Sequence, residues 1–254
     1  MLGTNYNQVE DFLIDVSRGS IKNFSNIHKF GKNDDVDTGS FEDVWEYGGT
    51  YTYQSSASVH YISSSDASDT EEITVIGLDA NYDMQEINVT LAGQTKTQIG
   101  TGETFIRVFR SYNNNGADLV GSVYVYEDDT VTAGVPDTAT KIKATINNGN
   151  NQTLMAIYTV PADHTGYLMN VSASLSKKKD GISNVQLWTR EQSKVFRLRD
   201  IFLLGSAGSS FVQKSFSPPI KIEEKTDIRV AADSSVSDNG ISASFDLVLI
   251  KNGA

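Results

Sequence analysis

Three histidines, His28, His60 and His164, carry the side chain most often recruited for proton transfer and metal binding, and in this chain each stands alone. None has the His-x-x-x-His or His-Glu-x-x-His spacing that sets two imidazoles on one helical face, so each reads as a surface or turn residue. Asn33, Asp35 and Asp37 alternate like the first ligands of a calcium loop. Position six of that loop is Thr38 where glycine is needed, and position twelve is Val44 where glutamate is needed. The spacing excludes a helix-loop-helix calcium site and leaves as the alternative a looser cation site of carboxylate and backbone oxygens. Asp66, Asp69, Glu71 and Glu72 form a second acidic cluster that reads as a solvated loop. The Ser63-Ser64-Ser65-Asp66 tract lacks the Gly-x-Ser-x-Gly turn that exposes a nucleophilic serine, and a phosphate-cradling glycine loop is missing too. These patterns predict no catalytic residues, no metal ligands and no cofactor, and hence a protein that is not an enzyme.

Aromatic residues offer the other chemistry. Trp45, Tyr47, Tyr51 and Tyr53 share odd parity, so a regular strand would put them on one face, with Gly48-Gly49 marking a bulge or a close backbone approach. Tyr124, Tyr126 and Trp188 fall on the less apolar parity of their own strands. Such rings stack on sugars, anchor subunit contacts or fill a core, because they bury large area at low entropic cost.

The elements that must position these residues are strands. Tyr167-Leu168-Met169-Asn170-Val171-Ser172-Ala173-Ser174-Leu175 sets apolar side chains at every odd position, and Ile241-Ser242-Ala243-Ser244-Phe245-Asp246-Leu247 repeats the pattern. Shorter β-branched or aromatic runs, such as Glu72–Ile76, Ile87–Leu91 and Phe105–Phe109, agree with it. Asn114-Asn115-Gly116, Asn148-Gly149-Asn150, Lys179-Asp180-Gly181 and Asp238-Asn239-Gly240 supply hairpin turns between them. The fold class is therefore all-β: antiparallel sandwiches of jelly-roll type, in two β domains with an N-terminal arm or short helix. Val9, Phe12, Leu13 and Val16 give residues 8–17 one apolar helical face. The weakest-structured stretches place an arm or helix over 1–40, a first β domain over 41–115 and a C-terminal jelly-roll-like domain over 116–254.

Composition narrows the partners. The 254 residues carry 21 Lys+Arg against 32 Asp+Glu, a net charge of -11, which repels nucleic acid. Cysteine is absent, so packing or assembly must stabilise the chain. No apolar run is long enough to cross a membrane as a helix and no secretory signal is visible, so synthesis in the host cytoplasm is expected.

The block Ile27-His28-Lys29-Phe30-Gly31-Lys32-Asn33-Asp34-Asp35-Val36-Asp37, followed by Val44-Trp45-Glu46-Tyr47-Gly48-Gly49-Thr50-Tyr51-Thr52-Tyr53, resembles the start of a family of tailed-bacteriophage virion structural proteins from marine and cyanobacterial phages. Gly77-Leu78-Asp79, Phe105-Ile106-Arg107-Val108-Phe109-Arg110, Tyr158-Thr159-Val160-Pro161-Ala162 and Lys225-Thr226-Asp227-Ile228 extend the resemblance over about residues 20–250. Ala162-Asp163-His164 departs from the small or glycine-containing turn usual after Val-Pro.

The resemblance implies a virion component at the capsid surface, foremost a decoration or cement protein. A tail, fibre or vertex protein binding host glycans and a double jelly-roll capsid subunit are the alternatives. Partners implied are the major capsid protein or other virion proteins and further copies of the chain, a trimer by analogy with cement proteins. Phe12, Ile21, Phe24, Ile27, Lys29, Phe30, Trp45, Tyr51 and Tyr53 are the residues expected at such an interface, with Lys22, Lys29 and Lys32 suiting an acidic docking surface.

Overall fold

The computed structural model describes residues 8–176, 179–205 and 210–253, with side chains from residue 12 onward. Within them one short helix, α1 (Gln8–Ser17), precedes strands that pair antiparallel throughout. The chain lays down β1 (Phe24–Val36) and the short β2 (Glu42–Asp43), then makes a long excursion. The excursion holds β3 (His60–Ser64), β4 (Glu72–Leu78), β5 (Met84–Thr90), β6 (Thr97–Gln98) and β7 (Arg107–Asn113). It ends with β8 (Val123–Glu127), β9 (Val131–Thr132), β10 (Val135–Pro136) and β11 (Ile142–Ile146). The chain returns through β12 (Ile157–Thr159), β13 (His164–Ser176), β14 (Ile182–Arg190), β15 (Arg197–Gly205), β16 (Phe211–Ile222), β17 (Asp227–Ser234) and β18 (Asn239–Lys251).

Strand order identifies the larger unit. β1 pairs with β18, β12 with β17, β13 with β16 and β14 with β15. This is one long antiparallel ribbon, first strand to last, rolled so that β18 also meets β13 and β17 also meets β14. The resulting sheets, β1-β18-β13-β16 and β12-β17-β14-β15 with β2 added on β17, form a jelly roll. Its core is built from inward positions of both sheets, including Leu168, Val171, Leu187, Val230, Phe245 and Leu247. The excursion forms a second sandwich of sheets β11-β8-β3-β6 and β5-β4-β7 around Ile62, Ile73, Val75, Phe105, Val125 and Ile146.

Two expectations about organisation need correction. Residues 24–36 are the first strand of the jelly roll and no arm, because their alternation matches the inward face set by β18. The division near residue 115 falls inside the inserted sandwich, where β3 pairs with β8 across it. The jelly roll is therefore discontinuous in sequence, closed around an insertion that leaves after Val44 and returns at Ala156.

Local irregularities have visible causes. Strand β13 was expected to bury every odd position, yet Leu168 is buried while Tyr167 and Met169 are half-buried. A bulge between Leu168 and Asn170 shifts the register and inverts the pleat, so odd parity holds only from Val171 to Leu175. Gly31 on β1 shows a forced choice of residue. A Cβ there would lie 2.2 Å from both Ala156 N and Val44 O, so only glycine lets β1 pass the two chain crossings of the insertion.

Candidate functional site

The nine residues expected at an interface divide into two groups. Lys29, Trp45 and Tyr51 are 6%, 2% and 4% exposed, so they serve packing within the chain and are unavailable to a partner, which corrects the expectation for these three. Ile21, Phe24, Ile27, Phe30 and Tyr53 are half-buried, and Phe12 on α1 is exposed with its ring edge-on to Phe24 at 5.7 Å. Among the lysines named with them, Lys32 pairs with Asp34 at 2.7 Å.

The aromatic residues do converge, though not on a strand: residues 45–53 turn at Gly48 and Gly49, both at positive φ. Trp45 meets Tyr47 and Tyr51 at 5.4 and 5.2 Å, Tyr51 meets Tyr53 at 4.8 Å, and Tyr53 meets Phe196 at 5.4 Å. Guanidinium groups sit on this row. Tyr53 is faced by Arg107 at 5.1 Å and Arg190 at 4.4 Å, and Phe196 by Arg190 at 4.4 Å and Arg229 at 4.3 Å.

One carboxylate organises these cations. Arg107, from β7 of the inserted sandwich, grips Asp227 of the jelly roll through two hydrogen bonds, Nε to Oδ1 at 2.8 Å and Nη2 to Oδ2 at 3.1 Å. Arg190 donates to Oδ2 from Nε and Nη2 at 3.0 and 2.6 Å, and Thr159 donates to Oδ1 at 2.7 Å. Beside them Arg229 binds Asp43, which also accepts from the Tyr51 amide at 2.7 Å. Burial pushes the Asp43 carboxyl up to about 6, against the pull of Arg229. A polar cavity of about 290 Å³ opens here between Tyr53, Gln54, Tyr82, Arg107, Arg190 and Lys194. Its carboxylate, Asp227, is saturated by donors, so the cluster acts as a clamp between the two units and not as a general base.

Sequence reading missed this clamp. The usable signal was a charge inside an apolar strand: Arg107 within Phe105–Phe109 and Asp227 before Ile228 have to find partners if buried.

Other chemistry-bearing residues also turn inward. His60 is fully buried on β3, where desolvation lowers its pKa to about 4, so it is no surface histidine. His28 is exposed beside Asp246 at 2.5 Å, and His164 is half-buried beside the Ala162 carbonyl. Asp69 is 1% exposed and accepts from Ser64 Oγ, Val120 N and Gly121 N, so it shapes a turn rather than a solvated loop. Ser63 and Ser64 are likewise buried at the end of β3. Asn33 is buried against Glu42 at 2.8 Å, whereas Asp35 and Asp37 are exposed. Among the described residues no three His, Asp or Glu side chains gather to hold a metal.

The outer surface carries a different feature. β15 and β16 end their respective sheets on the same side of the jelly roll and are tied by Lys214–Asp200 at 2.6 Å. Along these two edges Ile201, Leu203 and Phe211 are 48%, 67% and 55% exposed, with Ile182 and Leu198 nearby in the pairing. Edge strands bearing large apolar side chains are the places where a sheet protein meets another surface.

No protein-family model matches the sequence, and no curated protein matches it. Among solved structures, the chain is similar to the infectious bursal disease virus VP2 subviral particle at 9% identity and a TM-score of 0.23, covering 96% of this chain and 78% of that one. The structure of the Gx strain of the same virus gives 9% identity and a TM-score of 0.24, covering 91% and 76%. The jelly-roll assignment stands on the strand pairing above.

Proposed function

We propose that this chain is a non-enzymatic virion structural protein that decorates and stabilises a capsid, assembling with copies of itself through the apolar side chains exposed along β15 and β16. The observation that carries the reading is the exposed row Ile201, Leu203 and Phe211 on those edges. With a net charge of -11, copies repel one another at long range, so self-contact has to come from apolar surface of this kind. The resemblance of the Ile27–Tyr53 block to tailed-phage virion proteins supports the virion setting, and repeated weak contacts on a shell add up by multivalency.

Leu203→Lys tests the assembly step. The wild-type chain is expected to sediment as an oligomer, a trimer in this reading, and the variant as a folded monomer. A wild-type monomer at all concentrations would sink this step. Copy number in purified particles tests the location: a number scaling with the capsomers supports decoration, and a number matching the tail or one vertex refutes it.

The jelly-roll winding favours one second reading, a shell-forming capsid subunit, since this winding recurs in viral shells. The chain expressed alone would then close into particles, whereas a decoration protein would stop at small oligomers. The glycan-binding reading loses its first anchor, because Trp45 is in the interior.

A further inference from the structure

At the opposite end of β1 from Asn33, a cavity of about 280 Å³ lies between the jelly roll and the inserted sheet, and its chemistry is incomplete. Ile27 and Lys29 of β1, Ile76 of β4, Met84 of β5, Phe109 of β7 and Tyr158 of β12 line it. Lys29 occupies an inward position of β1, where alternation demands a side chain that enters the interior. Its ammonium donates to the Phe109 carbonyl and lies 5.7 Å from the centre of that ring. Among the described residues no carboxylate pairs with it. Tyr158 is 1% exposed with its ring against Phe109 at 4.8 Å, and its buried hydroxyl has no hydrogen-bond partner among the described residues.

Two donors are thus buried with too few acceptors, and each such group costs free energy. Packing explains neither: methionine would fill the place of Lys29 and phenylalanine that of Tyr158 without the penalty. The next charged neighbour is another cation, Arg110, with Glu86 exposed on the rim engaging Tyr112. Burial and the charge of Arg110 lower the Lys29 pKa to about 7, a change that a bound anion would reverse.

We propose that this cavity binds a carboxylate on a short apolar stem, its oxygens accepting from the Lys29 ammonium and, once a small shift of the lining side chains uncovers it, from the buried Tyr158 hydroxyl, with its stem lying against Ile76, Met84 and Phe109. The ligand's charge answers the unpaired ammonium, and the apolar walls select against a bare inorganic anion. The cavity is small for a ligand site, which limits the stem to a few carbons. Because β1 and β12 belong to one unit and β4, β5 and β7 to the other, occupancy would fasten the insertion to the jelly roll. This inference does not depend on the virion reading.

Acetate, butyrate and hexanoate titrated into the full chain, followed by calorimetry and thermal unfolding, provide the test, with hexanamide as the uncharged control. Affinity is expected to rise along the carboxylate series, and hexanamide to bind about tenfold more weakly or worse. Lys29→Met is expected to abolish hexanoate binding and Tyr158→Phe to weaken it several-fold. Tyr158→Phe keeps the ring on Phe109, so it remains informative even if Lys29→Met disturbs β1. Equal binding of hexanoate by wild type and both variants, equal binding of hexanoate and hexanamide, or no binding of hexanoate overturns the proposal.

Discussion

The two ends of the junction between jelly roll and insertion solve the same problem in opposite ways. Around Asp227 the carboxylate is answered: two guanidinium groups and a threonine hydroxyl donate to it and rings stack on the cations, although Tyr53 Oη, Gln54 Oε1 and Arg229 Nε beside it lack partners among the described residues. Around Lys29 a buried ammonium and a buried phenol have one carbonyl between them and, among the described residues, no carboxylate paired to the ammonium, Glu86 lying exposed on the rim. Burial alone therefore does not mark a site in this molecule. What separates the clamp from the cavity is whether the buried charge already has its counter-charge.

Removing Asp227 attacks the satisfied end hardest. Asp227→Ala leaves Arg107 and Arg190 uncompensated and is expected to cost about 3–5 kcal/mol in urea unfolding. A loss below about 1 kcal/mol would mean that water replaces the carboxylate, and the contrast between the two ends would collapse.

Gly31 lies between the two ends, where the chain crossings press on β1. Gly31→Ala forces backbone apart at Val44 and Ala156 and is expected to cost about 1–3 kcal/mol, with both units still folded by circular dichroism. An unchanged unfolding midpoint would show that the crossings yield.

At the unsatisfied end the sign reverses. Without ligand, Lys29→Met is expected to raise stability by about 1–2 kcal/mol near pH 7, because it removes an unpaired charge. The pH dependence gives a second check. The folded-state pKa of Lys29, about 7, lies below the unfolded value of 10.5, so the unfolded chain binds more protons between them. Wild-type stability should climb with pH across that window, and the methionine variant should lose this climb.

The smallest effect belongs to Asp43 at the clamp. Its folded pKa of about 6 lies above the ordinary carboxyl value of 3.8, so its contribution is complete below about pH 4 and lost as pH rises through 6. Asp43→Asn should erase that acid-side gain while leaving the alkaline climb from Lys29 intact. If both slopes change together, the two ends are coupled and the comparison needs redrawing.

Sequence patterns reached some of this organisation. The alternation Ile241, Ala243, Phe245, Leu247 is buried as read, because β18 runs through these residues without a bulge of its own. Helix α1 was legible from its own local period, whereas Trp45, Tyr47, Tyr51 and Tyr53 converge through the turn at Gly48-Gly49 and not along the strand face their parity suggested. The insertion was not. Nothing near Phe24 announces that its partner is Ile250, and a boundary drawn from loop composition cannot see a sheet assembled from both ends of the chain. The bulge at Met169 was equally hidden, since it depends on register against β16 and β18. Clamp and cavity share that limit: Arg107 and Asp227, or Lys29 and Tyr158, acquire meaning only when remote strands meet.

The pairing of β1 with β18 also sets a timetable. As the ribosome extends the chain, Phe24 emerges early, but Ile250 follows only on the order of tens of seconds later at about 5–20 residues per second. Through that interval the nascent jelly roll has its opening strand and no strand to zip it to, while all the strands of the insertion have already emerged. The sheets of the insertion can thus pair before β1 does, because they draw only on strands β3 to β11.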